Sequence, residues 1–177
     1  LWSRGLGDVY KRQERDYVWL PKDRLLKFGE LFTLAAVFAE LGVTRLRLTG
    51  GEPLLRTDLA TLIQRLAGVA GIADLALTTN GVLLADQAEA MKVAGLHRIT
   101  VSLDSLRADR FAELTGRDDL SRVLAGIDAA RSAGLDIKIN TVVMRGSNDD
   151  ELVSLLDYGA EIGAEVRFIE YMDVGRT

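Results

Sequence analysis

Apolar residues along this chain fall into a unit that repeats five times: a helix-like stretch, a glycine, then a short run rich in Leu, Ile, Val and Thr. The junctions are Leu41-Gly42-Val43, Ala70-Gly71-Ile72, Ala94-Gly95-Leu96, Ala133-Gly134-Leu135 and Ile162-Gly163-Ala164. A glycine just past a helix enters the left-handed conformation at no steric cost and ends the helix there. The runs that follow predict strands at Arg45–Thr49, Asp74–Thr79, Arg98–Leu103, Ile137–Val143 and Val166–Tyr171. Between them lie helical patterns. In 25–41, Leu25, Phe28, Phe32, Ala35 and Ala39 step by three and four along one face. A second helix starts at Thr57-Asp58, and another covers Leu120–Ala133. Asp86 with Glu89, and Asn148 with Glu151, have capping-box spacing and mark two more starts, with Asp149 and Asp150 supporting the second.

Alternating strands and helices at this spacing give an α/β fold of parallel strands joined by right-handed crossovers. Periodicity does not choose between a flat doubly wound sheet and a barrel. Polar residues, however, collect at the C-terminal ends of the strands, where such folds bind ligands. Those ends read Thr49-Gly50-Gly51-Glu52-Pro53, Thr78-Thr79-Asn80-Gly81, Ser102-Leu103-Asp104, Lys138 with Asn140, and Glu170-Tyr171-Met172. Paired glycines admit a ligand to the backbone, and the Glu52 carboxylate beside them can accept from an ammonium group. The regularity points to a polar small-molecule site. Taken singly, each residue has a plainer role. Arg47 can pair with Glu52 or Glu170, Thr78 and Ser102 are ordinary strand residues, and Lys138 suits a guarded edge. His97 reads as a surface residue.

Charge and composition narrow the classes. The 177 residues carry 22 Lys and Arg against 26 Asp and Glu, a net charge of −4 that argues against nucleic acid. No apolar run approaches the ~20 residues of a membrane span, and a cytoplasmic setting is expected. There is no cysteine and one histidine, so thiolate metal ligands are excluded and no metal site is assigned.

The segment 46–56, LRLTGGEPLLR, resembles the GGEP segment of radical S-adenosylmethionine enzymes, and in its length that of the GTP 3′,8-cyclases of molybdenum-cofactor biosynthesis. LTTNG at 77–81, RITVSLDSL at 98–106, IKINTVV at 137–143 and FIEYMDVG at 168–175 follow in order at family spacing. The resemblance covers residues 14–177 and implies a partial (β/α)6 barrel. It assigns Gly51, Ser102 and Met172 to S-adenosylmethionine, with Gly50, Glu52 and Asn80 on the same side. Arg47, Thr78 and Lys138 are assigned to GTP. The implied chemistry is reductive cleavage of S-adenosylmethionine at an iron–sulfur cluster, hydrogen abstraction from C3′ of GTP, and bonding of that carbon to C8 of guanine.

The family holds its clusters with cysteines, three of them spaced C-x3-C-x2-C after a first strand, and this chain has none. Residues 1–13, LWSRGLGDVYKRQ, match nothing in the family and are expected to be a foreign or disordered leader. The barrel is therefore expected without its first strand and cluster loop, as a fragment inactive by itself, with [4Fe–4S] clusters and a homodimer belonging to the full-length parent. Two competing readings are a peptide-modifying maturase of the same superfamily and a non-catalytic nucleotide-binding α/β domain. The second lacks the expected GxGxxG or GxxxxGK[ST] loop. A product with no ligand at all is a third.

Overall fold

The computed structural model describes residues 24–171. The leader at 1–13, the start of the resemblance at Glu14 and the cofactor assignment of Met172 lie outside the described residues. Five strands alternate with helices: α1 (Phe28–Glu40), β1 (Arg45–Leu48), α2 (Leu59–Ala67), β2 (Asp74–Thr79), α3 (Ala88–Val93), β3 (Arg98–Ser102), α4 (Ala108–Thr115), α5 (Leu120–Ser132), β4 (Asp136–Val143), α6 (Leu152–Ile162) and β5 (Glu165–Glu170). All pairings are parallel and the sheet order is β1-β2-β3-β4-β5. Every crossover thus steps the same way, and right-handed crossovers that step one way put all helices on one face. A doubly wound sheet needs a reversal of strand order, which is absent here.

Each predicted strand forms within a residue of its expected ends, and all five junction glycines have φ between +73° and +102°. Alternation then divides the strands into two faces. Leu75, Leu77, Ile99, Val101, Ile137 and Ile139 pack with α2, α3 and α5 into one core through Leu62, Ile63, Met91, Val123 and Ile127. The other face carries Arg47, Ala76, Thr78, Arg98, Thr100, Ser102, Lys138 and Asn140, all at alternate positions to the core residues.

The helix starts differ from expectation in informative ways. The first helix begins at Phe28, three residues late. Neither capping box forms: α3 starts after Gln87 rather than Asp86, and Asn148 caps nothing. Asn148 and Glu151 bond instead to groups across the fold, where burial rewards them more than a local cap, and exposed Asp150 pairs with Arg110. Asp149 accepts from the Gly146 N–H at 2.8 Å, bracing the preceding loop. Helix α4 had no expectation at all.

Candidate functional site

Register places the inner-face residues in rows across the strands. Arg47, Ala76, Arg98 and Asp136 lie level; above them come Thr78, Thr100, Lys138 and Glu165, then Ser102, Asn140 and Arg167. The sheet therefore brings Arg47, Thr78, Lys138 and Ser102 to one face, as expected. One expectation is corrected. Lys138 is not at the C-terminal end of its strand but third of eight residues in β4. It still lies level with Thr78 near the end of β2, because successive strands are staggered along the sheet.

Glycine and carboxylate build the rim. Gly50 has φ +136°, and a Cβ built there meets nothing within 4 Å, so the backbone faces open space. Glu52 follows and is already employed. Its Oε1 accepts from Thr79 Oγ1 at 2.5 Å and the Leu54 N–H at 3.1 Å, and Oε2 from the Asn80 N–H at 2.8 Å. The side chain of Glu52 thus ties the GGEP turn to the end of β2 and starts the 3-10 turn Pro53–Leu55. Asn80 Oδ1 accepts from the Val82 N–H at 3.0 Å and shapes the next turn.

The cations are held unequally. Arg47 is exposed and pairs with neither Glu52 nor Glu170. Lys138 Nζ donates to Glu165, which also accepts from Arg167 Nε at 2.6 Å. Lys138 first and Arg167 second hold the Glu165 carboxyl at about 2. At the lower end of the face Arg98 pairs with Asp74. His97 is exposed, yet its Nδ1 accepts from the Leu75 N–H at 3.0 Å and so completes the start of β2.

Among the described residues four buried polar atoms have no hydrogen-bond partner: Thr78 Oγ1, Arg98 Nε, Ser102 Oγ and Asn140 Oδ1. All four belong to the inner face of β2, β3 and β4. Leaving a buried polar group unpaired costs about 1–3 kcal/mol, so their concentration on one face marks where a ligand would supply partners. Thr78, Ser102 and Asn140 lie toward the C-terminal side of this face and offer hydroxyl and amide groups of the kind a small polar ligand can satisfy. Asn140 joins the candidate residues here, and the sequence signal for it is the two-residue step from Lys138, which puts both on one face. At the C-terminal ends of β4 and β5 an open groove of about 490 Å³ is lined by Val143, Arg145, Asp149, Phe168, Ile169 and Glu170. Among the described residues no group of three His, Asp or Glu is placed to hold a metal ion. No helix among them is long and apolar enough to cross a membrane.

Comparison with known proteins gives this geometry its context. The family profile described as Radical SAM superfamily matches residues 11–159. GTP 3′,8-cyclase 3 of Mycobacterium bovis is 50% identical over 171 residues, covering 94% of this chain and 45% of that protein. The GTP 3′,8-cyclase of Xanthomonas campestris pv. campestris (strain B100) is 54% identical over 158 residues, covering 88% of this chain and 47% of that protein. The chain thus spans about half the length of the curated relatives it matches. Among solved structures, Streptococcus suis SuiB bound to S-adenosylmethionine aligns over 87% of this chain and 36% of its own, with a TM-score of 0.74 and 18% identity. Native anSMEcpe with bound AdoMet aligns over 97% of this chain and 50% of its own, with a TM-score of 0.70 and 17% identity. At these identities the solved structures establish the fold, a partial TIM-like barrel.

Proposed function

The chain belongs to the Radical SAM superfamily, and from that premise we propose that it is the central part of a GTP 3′,8-cyclase, a cytoplasmic enzyme of molybdenum-cofactor biosynthesis. The observation that carries this reading is identity of 50% to 54% with cyclases over most of the chain. The inner face supports it. Arg47, Thr78 and Lys138 form the GTP side, where fixed cations suit a triphosphate. Gly51 and Ser102 are read as the S-adenosylmethionine side, to which the family resemblance alone adds Met172, with Gly50 open to an approaching ligand and Glu52 and Asn80 shaping its rim.

S-adenosylmethionine, when bound and reduced by one electron from a donor outside this chain, would supply the hydrogen-abstracting chemistry, and the protein's part is to bind, orient and exclude water. Ser102 offers a hydroxyl to the cofactor, while Thr78 and the two cations orient the nucleotide beside it. The iron–sulfur cluster is a different matter. Clusters are held by thiolates, this sequence has no cysteine, and so the residues present do not fit one. Catalysis on this reading needs thiolates that this chain does not carry, so the chain by itself is expected to be inactive.

The test uses a protein completed to the length of its relatives, with the cluster cysteines present. Arg47→Ala and Lys138→Ala should each weaken GTP binding by about one to two decades, for a charge-assisted contact of roughly 1.5–3 kcal/mol. Binding of S-adenosylhomocysteine should survive both. Gly51→Val should do the reverse, because a branched side chain fills space reserved for the cofactor. GTP affinity unchanged in both cation variants would refute the cyclase reading and favour a peptide-modifying member of the superfamily.

A further inference from the structure

Beyond the rung that pairs Ser102 with Asn140, β3 and β4 exchange one more backbone bond, from the Leu103 N–H to the Asn140 carbonyl at 3.0 Å. Side chains then take over the join. Asp104 Oδ1 accepts from the Val142 N–H at 2.7 Å, and Thr141 Oγ1 donates to the Leu103 carbonyl at 2.6 Å. Asn148 completes it from the loop after β4. Its Nδ2 donates to the carbonyls of Asp104 at 2.8 Å and Val142 at 2.9 Å, and its Oδ1 accepts from the Met144 N–H at 2.8 Å. Asp104, Thr141 and Asn148 are at most 2% exposed.

The contrast with the adjoining rung is sharp. Directly beside this fully bonded join, Ser102 Oγ and Asn140 Oδ1 are buried and unpaired. A satisfied buried network holds one geometry; unpaired groups next to it are then presented to a ligand in a fixed arrangement. We infer that Asn148 is a positioning residue for the cofactor side of the site, acting with Asp104 to fix the rung on which Ser102 and Asn140 face the ligand. This rests on the assignment of Ser102 to S-adenosylmethionine. Asn148 itself touches neither reactant; it acts through the strand ends it joins. The GTP-side residues Arg47 and Lys138 lie two rows and one row below the Ser102–Asn140 rung, and Lys138 bonds to Glu165 rather than to the join, so the effect should fall mainly on the cofactor side.

The experiment compares affinities of the full-length protein for S-adenosylhomocysteine and for GTP, by calorimetry, with thermal unfolding measured in parallel. Asn148→Ala should weaken S-adenosylhomocysteine binding by about tenfold while GTP affinity stays within about twofold. Thr141→Val is nearly isosteric, removes one bond of the same join, and should show the same selectivity at about threefold. It keeps the idea testable if Asn148→Ala does not fold. A purely structural role predicts lower thermal stability with both affinities unchanged in the folded protein, or both reduced alike, and either result would overturn the positioning role. Parental protein that binds GTP but not S-adenosylhomocysteine would overturn the cofactor assignment of Ser102 and this inference with it. Parental protein that binds both, with variants that do too, overturns the inference alone.

Discussion

Removing the Glu52 carboxylate should loosen the GGEP turn by an amount the structure lets one work out. Three donors bond to it among the described residues: the Thr79 hydroxyl, the Asn80 N–H and the Leu54 N–H. Thr79 is 3% exposed, so water does not replace that partner, whereas Leu54 N–H and Asn80 N–H lie in partly buried surroundings. Hydrogen bonds to a charged acceptor contribute about 1.5–3 kcal/mol each when fully buried, and less where solvent screens them. Counting the Thr79 bond near full value and discounting the other two gives about 3 kcal/mol for Glu52→Ala. Glu52→Gln keeps the oxygen facing Thr79 and Leu54 but turns an NH2 toward the Asn80 N–H. That sets donor against donor, and about 1.5 kcal/mol is expected. Urea unfolding of this chain followed by circular dichroism measures both, with the m-value checked for constancy. The ordering Ala worse than Gln worse than parent is the signature of a clamp. A loss under about 0.5 kcal/mol for Glu52→Ala, the size of an ordinary surface change, would refute the clamp and return the carboxylate to ligand binding alone.

The remaining predictions concern packing and charge. Gly159→Ala should cost about 1–3 kcal/mol despite the gain in helix propensity, because its Cβ would sit 2.3 Å from Val166 Cγ2 and 3.2 Å from the Ala164 carbonyl. Gly29→Ala in α1 has nothing within 4 Å and should stabilise by about 0.5–1 kcal/mol; thermal melts read the opposite signs, and equal signs would contradict the packing of α6 on β5. Glu165 should titrate at about 2 by NMR and move back toward ordinary carboxylates in Lys138→Met. Since its folded pKa is depressed, its contribution to stability is present above the unfolded pKa of 4.5 and is lost as pH falls toward 2. A normal titration in the parent would mean that Lys138 and Arg167 do not hold it in solution.

Strand positions were legible in the order of residues because their causes are local. A glycine after each helix and a β-branched run after each glycine decide where a strand begins, and alternation decides which side chains share a face. Arg47, Thr78, Ser102 and Lys138 could therefore be set on one candidate surface before any coordinates. The height of Lys138 was not legible. Its position in β4 follows from the stagger between strands, a relation between residues 22 to 60 apart that no local period encodes: Thr78 opposite Thr100, and Thr100 opposite Lys138. The occupation of Glu52 by Thr79 and Asn80, and of Lys138 by Glu165, is likewise decided across strands. The same holds for Asn148 and Glu151, whose spacing suits a helix cap. In the folded chain Asn148 bonds the ends of β3 and β4, while Glu151 accepts from Ser105 and Arg110. A buried donor without a partner costs more than an exposed helix end left to water, so tertiary burial, not local spacing, chose where those side chains went.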